Sequence, residues 1–443
     1  MVIADDLVTE TTPLLSARAV PLSSVWKTFG NVTISVLGAG VLGMPYAFKR
    51  SGWLAGSITL TAVAVIMYFS LMLLVQARRV IESQGAGEVG TYSDLGYHAF
   101  GRAGRIAVDV LILLAQGCGC VAFLLFIGEN MASAFSQPYH DHSHASSHTL
   151  LSYSSIEATH MQKRAATGTM FGLSWGDKTT YICIVFCLQV LMASINSLTR
   201  LAPFSIFGTL ANIVAMAVVM RADITKIFFK GGIEPVPAFT QISGLPFVVG
   251  VGIYAFGCSP LLIPIESAMQ ERSKFGGVFG WAICSIDILY TAFALLGYLA
   301  FGSQTQDIIT LNLQSGIEST IVKVSQCTGL FFCFRVNIDP VYELLERRVV
   351  QGKPSMVLRS ILVLGIAVTA IAVPNFGDFV SLVGSSVSCT LGFILPALFH
   401  LRLFRGRLSL GKTVLDYSFI AFGVIFGAWG TISAAASILA LSF

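Results

Sequence analysis

The stretch Gly38-Ala39-Gly40-Val41-Leu42-Gly43-Met44-Pro45 lies inside an apolar run from Trp26 to about Phe48. A run of that length can cross a bilayer, which takes about 20 residues. Glycines and a proline in the middle of such a span weaken the helix and free backbone amides and carbonyls. In hydrocarbon those groups are costly unless they line a cavity enclosed by protein. The run therefore reads as a broken helix at a binding site. A second copy, Tyr254-Ala255-Phe256-Gly257-Cys258-Ser259-Pro260-Leu261-Leu262-Ile263-Pro264, follows far downstream, and in each a glycine (Gly38, Gly257) precedes a proline (Pro45, Pro264) by seven positions. Two interrupted spans at matching places in two halves point to the central site of a transporter. A pair of merely kinked spans is the plainer alternative.

The rest of the composition agrees with a membrane protein. Of 443 residues, 55% are hydrophobic and 11% charged, against roughly 25% charged in soluble domains. The net charge of +4 is scattered, so nothing argues for nucleic acid as a partner. All nine cysteines fall inside apolar runs, which implies neither a disulfide framework nor a paired metal-ligand motif. The first 24 residues lack the apolar core of a cleavable signal peptide. This tail, residues 1–24, reads as polar and disordered.

About eleven apolar spans follow, near 26–48, 53–77, 106–131, 179–198, 202–220, 246–268, 277–301, 319–341, 357–375, 379–402 and 416–440. With the N-terminus in the cytosol, seventeen of the 27 Lys and Arg residues fall on the cytosolic side, nine on the other, and Arg335 within a span. Basic residues flanking spans prefer the cytosol, so the bias favours an N-terminus inside and a C-terminus outside, against which Lys49 and Arg50 count. The connection from Val80 to Arg105 suits either a short cytosolic amphipathic helix or a solvated loop. The longest non-membrane piece, Gln137 to Asp177, holds His140, His142, His144, His148 and His160. A flexible loop that gains charge in an acidic lumen is the favoured reading, over a metal-binding one.

Several blocks at fixed spacing, GNVTISVLGAGVLGMPYAFKRSGW from Gly30, YSDLGYHAFG, YLAFGSQTQDIITLNL, PVYELLERR, VPNFGDFVSLVGSS and LGFILPALFH, resemble the amino acid/auxin permease family. The likeness is to its plant-type vacuolar amino-acid transporter branch, related to proton-coupled amino-acid transporters, and covers about residues 25–440. It implies an all-α integral membrane fold of the amino acid-polyamine-organocation, leucine-transporter-like kind. Spans 1–5 (residues 25–221, with a lumenal loop at 137–177) and spans 6–10 (245–405) would then be inverted repeats. Span 11 (415–443) is added, and spans 1 and 6 are unwound at the substrate. Residues Glu10 to Leu15 look like an acidic-dileucine sorting signal (Glu10, Leu14, Leu15), which implies adaptor partners in the cytosol and a vacuolar or lysosomal membrane. The chain departs from the family pattern at Tyr254-Ala255-Phe256-Gly257-Cys258, which has no acid where relatives commonly carry a glutamate in a pattern similar to YSFEG, and at Phe123, where a tyrosine is frequent. It also differs at Asn212, where an acid is usual, and at Arg335, where a proline is.

A free amino acid presents a carboxylate and an ammonium group, and an unwound helix can meet both. The carboxylate is expected on the backbone of Gly38, Ala39, Gly40 and Val41, and the ammonium on carbonyls near Tyr254, Ala255, Phe256 and Gly257. Thr33, Ser35, Gln116 and Cys118 are candidate side-chain contacts, although residues of these types more often serve helix packing. Tyr254, Phe256 and Phe123 are candidate walls for the substrate side chain, which favours neutral amino acids. Proton coupling needs a buried acid: Asp287, deep in span 7, is the first candidate and Glu266 the second, with a structural ion pair as the alternative for either. No resident cofactor or metal is expected and the proton is the expected coupling ion. No P-loop or triad pattern points to an enzyme. The sequence thus reads as a secondary transporter exporting neutral amino acids from lumen to cytosol. An amino-acid sensor and, more remotely, a metal-ion transporter using the His-rich loop are the alternatives.

Overall fold

In the computed structural model the chain is described over residues 23–135 (except 86 and 88), 169–170, 173–174, 177–194, 202–232, 234–313, 316–351 and 353–442. The dileucine residues and the His-rich loop lie outside these. Apart from two paired two-residue strands, Thr169–Met170 and Leu173–Ser174, the described chain is helical. Its helices are α1 (Val25–Val36), α2 (Met44–Ser51), α3 (Trp53–Ser83), α4 (Tyr92–Phe135), α5 (Lys178–Ala193), α6 (Ala202–Thr225), α7 (Leu245–Ala255) and α8 (Ser259–Ser267). They continue with α9 (Phe275–Phe301), α10 (Ile317–Val349), α11 (Met356–Ala372), α12 (Phe376–Val383), α13 (Leu395–Leu403) and α14 (Leu410–Ser442).

Joined across their interruptions, α1 with α2, α7 with α8 and α12 with α13, these helices make eleven segments, each overlapping one expected apolar run. Six are long and apolar enough to cross a membrane, seven with the bent α1–α2 pair, while α5 and α11 are shorter apolar helices. The protein is a multi-pass membrane protein.

Three local features shape the bundle. The α4 helix turns at Phe100–Gly101, where Gly101 adopts φ +66°, a region open to glycine at no steric cost. The turn sets a short helix from Tyr92 across the end of the bundle, with Tyr92, Leu95 and Ala99 buried. The connection thus holds a short helix from Tyr92, preceded by described residues after Ser83 that are not helical. Close helix crossings rest on glycine: a Cβ at Gly208 would stand 2.8 Å from the Gly329 carbonyl, and small residues let backbones approach in membranes. Between α12 and α13 the chain makes two π-helical turns, Gly384–Ser388 and Thr390–Ile394.

Polar contacts are concentrated at the two ends. At the end where α1 begins, the near end, Ser23 N–H donates to the Ala268 carbonyl (2.7 Å) and Gln270 N–H to the Ser23 carbonyl (3.1 Å). Beside this clasp Glu266 is held by Arg78 and by Arg79 (3.1 Å), and Arg78 also by Glu82 (2.7 Å). At the far end Arg50 pairs with the fully buried Asp378 at 2.9 Å and lies 4.3 Å from the Phe247 ring centre. Lys49 Nζ donates to the Thr305 carbonyl (3.0 Å), Lys178 Nζ to Val373 and Pro374 (2.8 Å each), and Asp307 accepts from Phe376 N–H (3.0 Å). Asp307 lies in the connection between α9 and α10, where burial pushes its carboxyl above the ordinary value despite the opposing pull of backbone amides.

Candidate functional site

The first interrupted span loses its helix at Leu37–Gly38. Leu37 has ψ +90° and Gly38 an extended backbone (φ −120°, ψ −171°), after which Ala39–Gly43 form a 3-10 turn that leads into α2. The two halves bend by 50°. Helix starts leave their leading N–H groups, and helix ends their trailing carbonyls, without intrahelical partners, so both polarities are bared at one place. The second interruption is gentler. Helix α7 ends at Ala255, Phe256 and Cys258 leave helical geometry, and α8 starts at Ser259. The whole of Ile242–Ser267 remains one apolar span.

The two breaks touch. A Cβ on Gly40 would sit 2.9 Å from Tyr254 Cδ1 and 3.2 Å from Ala255 Cβ, so only a residue without a side chain permits this approach. Gly38 and Gly257 are both exposed within otherwise buried stretches, and both face one cleft of about 320 Å3. That is the small end of ligand cavities, which run from roughly 300 to 1,000 Å3. Among the described residues that line it, none carries a formal charge at neutral pH.

Of the residues singled out by sequence, Ser35, Gly38, Ala39, Gly40, Gln116, Phe123, Tyr254, Ala255 and Gly257 line this cleft; Thr33, Val41, Cys118 and Phe256 do not. The Thr33 hydroxyl donates to Phe29 carbonyl (2.9 Å) within its own helix. Val41 and Phe256 are fully buried, the latter packed against the Tyr290 ring at 5.4 Å. Cys118 is half-buried and packs against the core. Sequence reading passed over the contributions of the other helices: Gly208, Thr209 and Asn212 from α6, Cys333 and Asn337 from α10, and Ser388 from the first π turn. Only Asn212 carried a signal, as a departure from the family pattern.

Two side chains from outside fix the first break. Tyr290 of α9 donates its hydroxyl to the Val36 carbonyl at 2.9 Å. Asn212 donates to the Gly38 carbonyl at 3.3 Å and accepts from Gln326 Nε2 of α10 at 2.8 Å. Three helices thereby hold the main chain of the unwound segment in place.

The two candidate coupling acids stand apart from the cleft. Asp287 accepts from the Thr61 hydroxyl at 2.9 Å, while its second oxygen has no hydrogen-bond partner among the described residues; the next residue, Ile288, is 65% exposed on the bundle's outer flank. Tyr290, three residues on, faces the break. Glu266 is buried between two guanidinium groups at the near end. Arg335, buried within α10, pairs with Asp339 at 2.5 Å. Among the described residues no cluster of three His, Cys, Asp or Glu side chains stands ready to hold a metal.

This arrangement of a cleft between two broken spans is matched by whole-chain similarity. Residues 22–436 match the family described as transmembrane amino acid transporter protein. The chain belongs to that family. Among curated relatives from Arabidopsis thaliana, amino acid transporter AVT3B is 42% identical over 95% of each chain. AVT3C is 42% identical over 98% of this chain and 95% of its own, and ANT1 is 34% identical over 92% and 91%. A solved Na+-coupled sialic acid symporter aligns with 94% of the chain and 97% of its own at 12% identity and TM-score 0.41, too loose a likeness to establish a shared fold. The family and these relatives are transporters, not enzymes.

Proposed function

We propose that this family member is a secondary active transporter of neutral amino acids, exporting them with protons from an acidic vacuolar or lysosomal lumen to the cytosol. The observation that carries the reading is the meeting of the two interruptions. Gly38 and Gly257 face one uncharged cleft, and Gly40 lies directly against Tyr254. A zwitterion fits this chemistry. Its carboxylate takes the leading amides of the Ala39–Gly43 turn, and its ammonium the carbonyls that close α7 at Tyr254 and Ala255. The lack of charged lining residues selects a neutral side chain.

Contacts at the ends of the bundle support a reading of the conformational cycle. Lining residues such as Ile34, Leu261, Asn337 and Leu391 lie on the near-end side of the breaks, while Arg50, Asp378 and Phe247 close the far end. The arrangement suits a cytosol-facing state with the lumenal side shut, the near end being cytosolic and the C-terminus lumenal. Segments 25–221 and 245–405 serve as inverted repeats that rock about the cleft, with residues 415–443 as an added eleventh span and residues 1–24 as a cytosolic tail. Asp287 is the preferred proton carrier, because one oxygen is unpartnered and its helix also carries Tyr290, which grips the first break. Glu266, already neutralised by two arginines, is second.

Counterflow in proteoliposomes tests the reading. Labelled neutral amino acids should exchange into preloaded vesicles and accumulate further when a pH gradient is imposed. No counterflow of any neutral amino acid would overturn it.

A further inference from the structure

We infer that Asn212 and Gln326 form a proton-independent positioning pair, holding the Gly38 carbonyl so that the amides after it stay aimed into the cleft. The inference deepens the proposed function and rests on it where it concerns substrate affinity.

The donor order of the chain is fixed by chemistry. A main-chain carbonyl only accepts, so the group of Asn212 that faces Gly38 at 3.3 Å is its Nδ2. Its Oδ1 is therefore the atom that accepts from Gln326 Nε2 at 2.8 Å. Asn212 is 5% exposed and Gln326 1%, so the bond between them is shielded from water, while the bond to Gly38 lies at the wall of the cleft. The two amides come from α6 and α10, which cross closely at Gly208 and Gly329. The pair is anchored on this crossing and reaches the non-helical link between α1 and the Ala39–Gly43 turn. The Gly38 carbonyl and the Ala39 N–H share one peptide plane and point opposite ways, so holding the carbonyl sets the direction of the first amide of the turn.

An amide makes this link at every pH. An aspartate of the same shape makes it only when protonated: ionised, it would set two acceptors against each other, one carboxylate oxygen facing the Gly38 carbonyl, beside the expected place of the substrate carboxylate. Asn212→Asp is thus a switch, and its direction follows. Charged groups on the elements packed there are engaged elsewhere or distant. On α10, Lys323 donates to Ser133 (2.9 Å) and Arg335 pairs with Asp339. On α9, Asp287 accepts from Thr61. Asp223, buried with neither oxygen hydrogen-bonded among the described residues, lies three turns along α6. The remaining titratable neighbours, Tyr290 of α9, Tyr254 of α7, Cys327 and Cys333 of α10 and Cys118 of α4, are hydroxyls and thiols.

The experiment compares wild type, Asn212→Asp and Asn212→Leu in proteoliposomes with the same pH on both faces, from pH 5 to 8, measuring KM and kcat for a labelled neutral amino acid. In the aspartate variant KM should rise about tenfold more than in wild type as pH rises, the value of one hydrogen bond of about 1.4 kcal/mol, with kcat little changed. The leucine variant should show the raised KM at all pH values. An Asn212→Asp profile parallel to wild type, or a leucine variant with wild-type KM, would overturn the pair's role. Melting of the purified aspartate variant separates this from the substrate reading. Burial favours the protonated form, so its Tm should fall relative to wild type as pH rises above the ordinary aspartate range. That fall without any transport in wild type keeps the latch and removes the substrate claim; a Tm offset constant with pH removes the latch.

Discussion

Substitution at Gly40 tests the contact between the two breaks. A methyl group there would lie 2.9 Å from Tyr254 Cδ1 and 3.2 Å from Ala255 Cβ. Carbon atoms prefer about 3.5–4.0 Å, so ring and backbone must separate by roughly 0.6 Å or more. Overpacking of this kind costs about 1–3 kcal/mol. If that cost falls on the substrate-bound state, Gly40→Ala should reduce counterflow roughly 5- to 150-fold. Gly40→Val, with two further methyls and a stiff χ1, should abolish it. Gly30→Ala, on the same interrupted span but with nothing within 4 Å of the added carbon, is the control and should transport normally. Transport is read in proteoliposomes, and correct folding by monodisperse elution and Tm. Wild-type counterflow in Gly40→Val would refute the idea that the breaks grip substrate at this contact.

Further outcomes follow from the acids. Asp287→Asn should leave counterflow at equal pH intact but remove the extra accumulation driven by a pH gradient; unchanged pH-driven flux would shift the coupling role to Glu266. Glu266→Gln takes from the buried Arg78 one of its two carboxylates and leaves Glu82 in place, so Tm and membrane abundance should drop, by less than the about 3–5 kcal/mol of a buried charge left wholly unpaired. A Tm equal to wild type would show the near-end cluster to be dispensable. At the far end, burial raises Asp307, so the fold favours its protonated form. That contribution is complete below the ordinary aspartate value and is lost as pH rises through the raised one. Asp307→Asn should therefore flatten the fall of Tm with pH in that window, and an unaltered slope would contradict it.

What the sequence made legible, and what it hid, has a physical basis. Apolar runs of bilayer length mark helices because the main chain has no other partner in hydrocarbon, and every expected run overlaps a helix. Their ends drifted where polar residues continue a helix beyond the apolar core. Helix α3 runs to Ser83, past Arg78 and Arg79, because Glu82 and Glu266 hold those guanidiniums. The breaks were legible because glycine and proline act locally on the backbone. The faces that α6 and α10 turn to the cleft were not, since Thr209, Cys333 and Asn337 are ordinary residues within membrane helices and only packing selects them. The π turns after Val383, which bring Ser388 to the cleft, follow from hydrogen-bond register and have no local residue code. For the acids, sequence indicated burial but not direction. Asp287 and Tyr290 are three residues apart on one helix, yet one lies on the outer flank and the other reaches Val36.

The most direct test is a structure determined with a neutral amino acid bound. The account predicts density in the cleft, with the carboxylate within hydrogen-bond distance of the Ala39, Gly40 or Val41 amides and the ammonium beside the Tyr254 and Ala255 carbonyls. Density elsewhere, or a continuous helix through Leu37–Gly38 or Phe256–Cys258 in that complex, would contradict it.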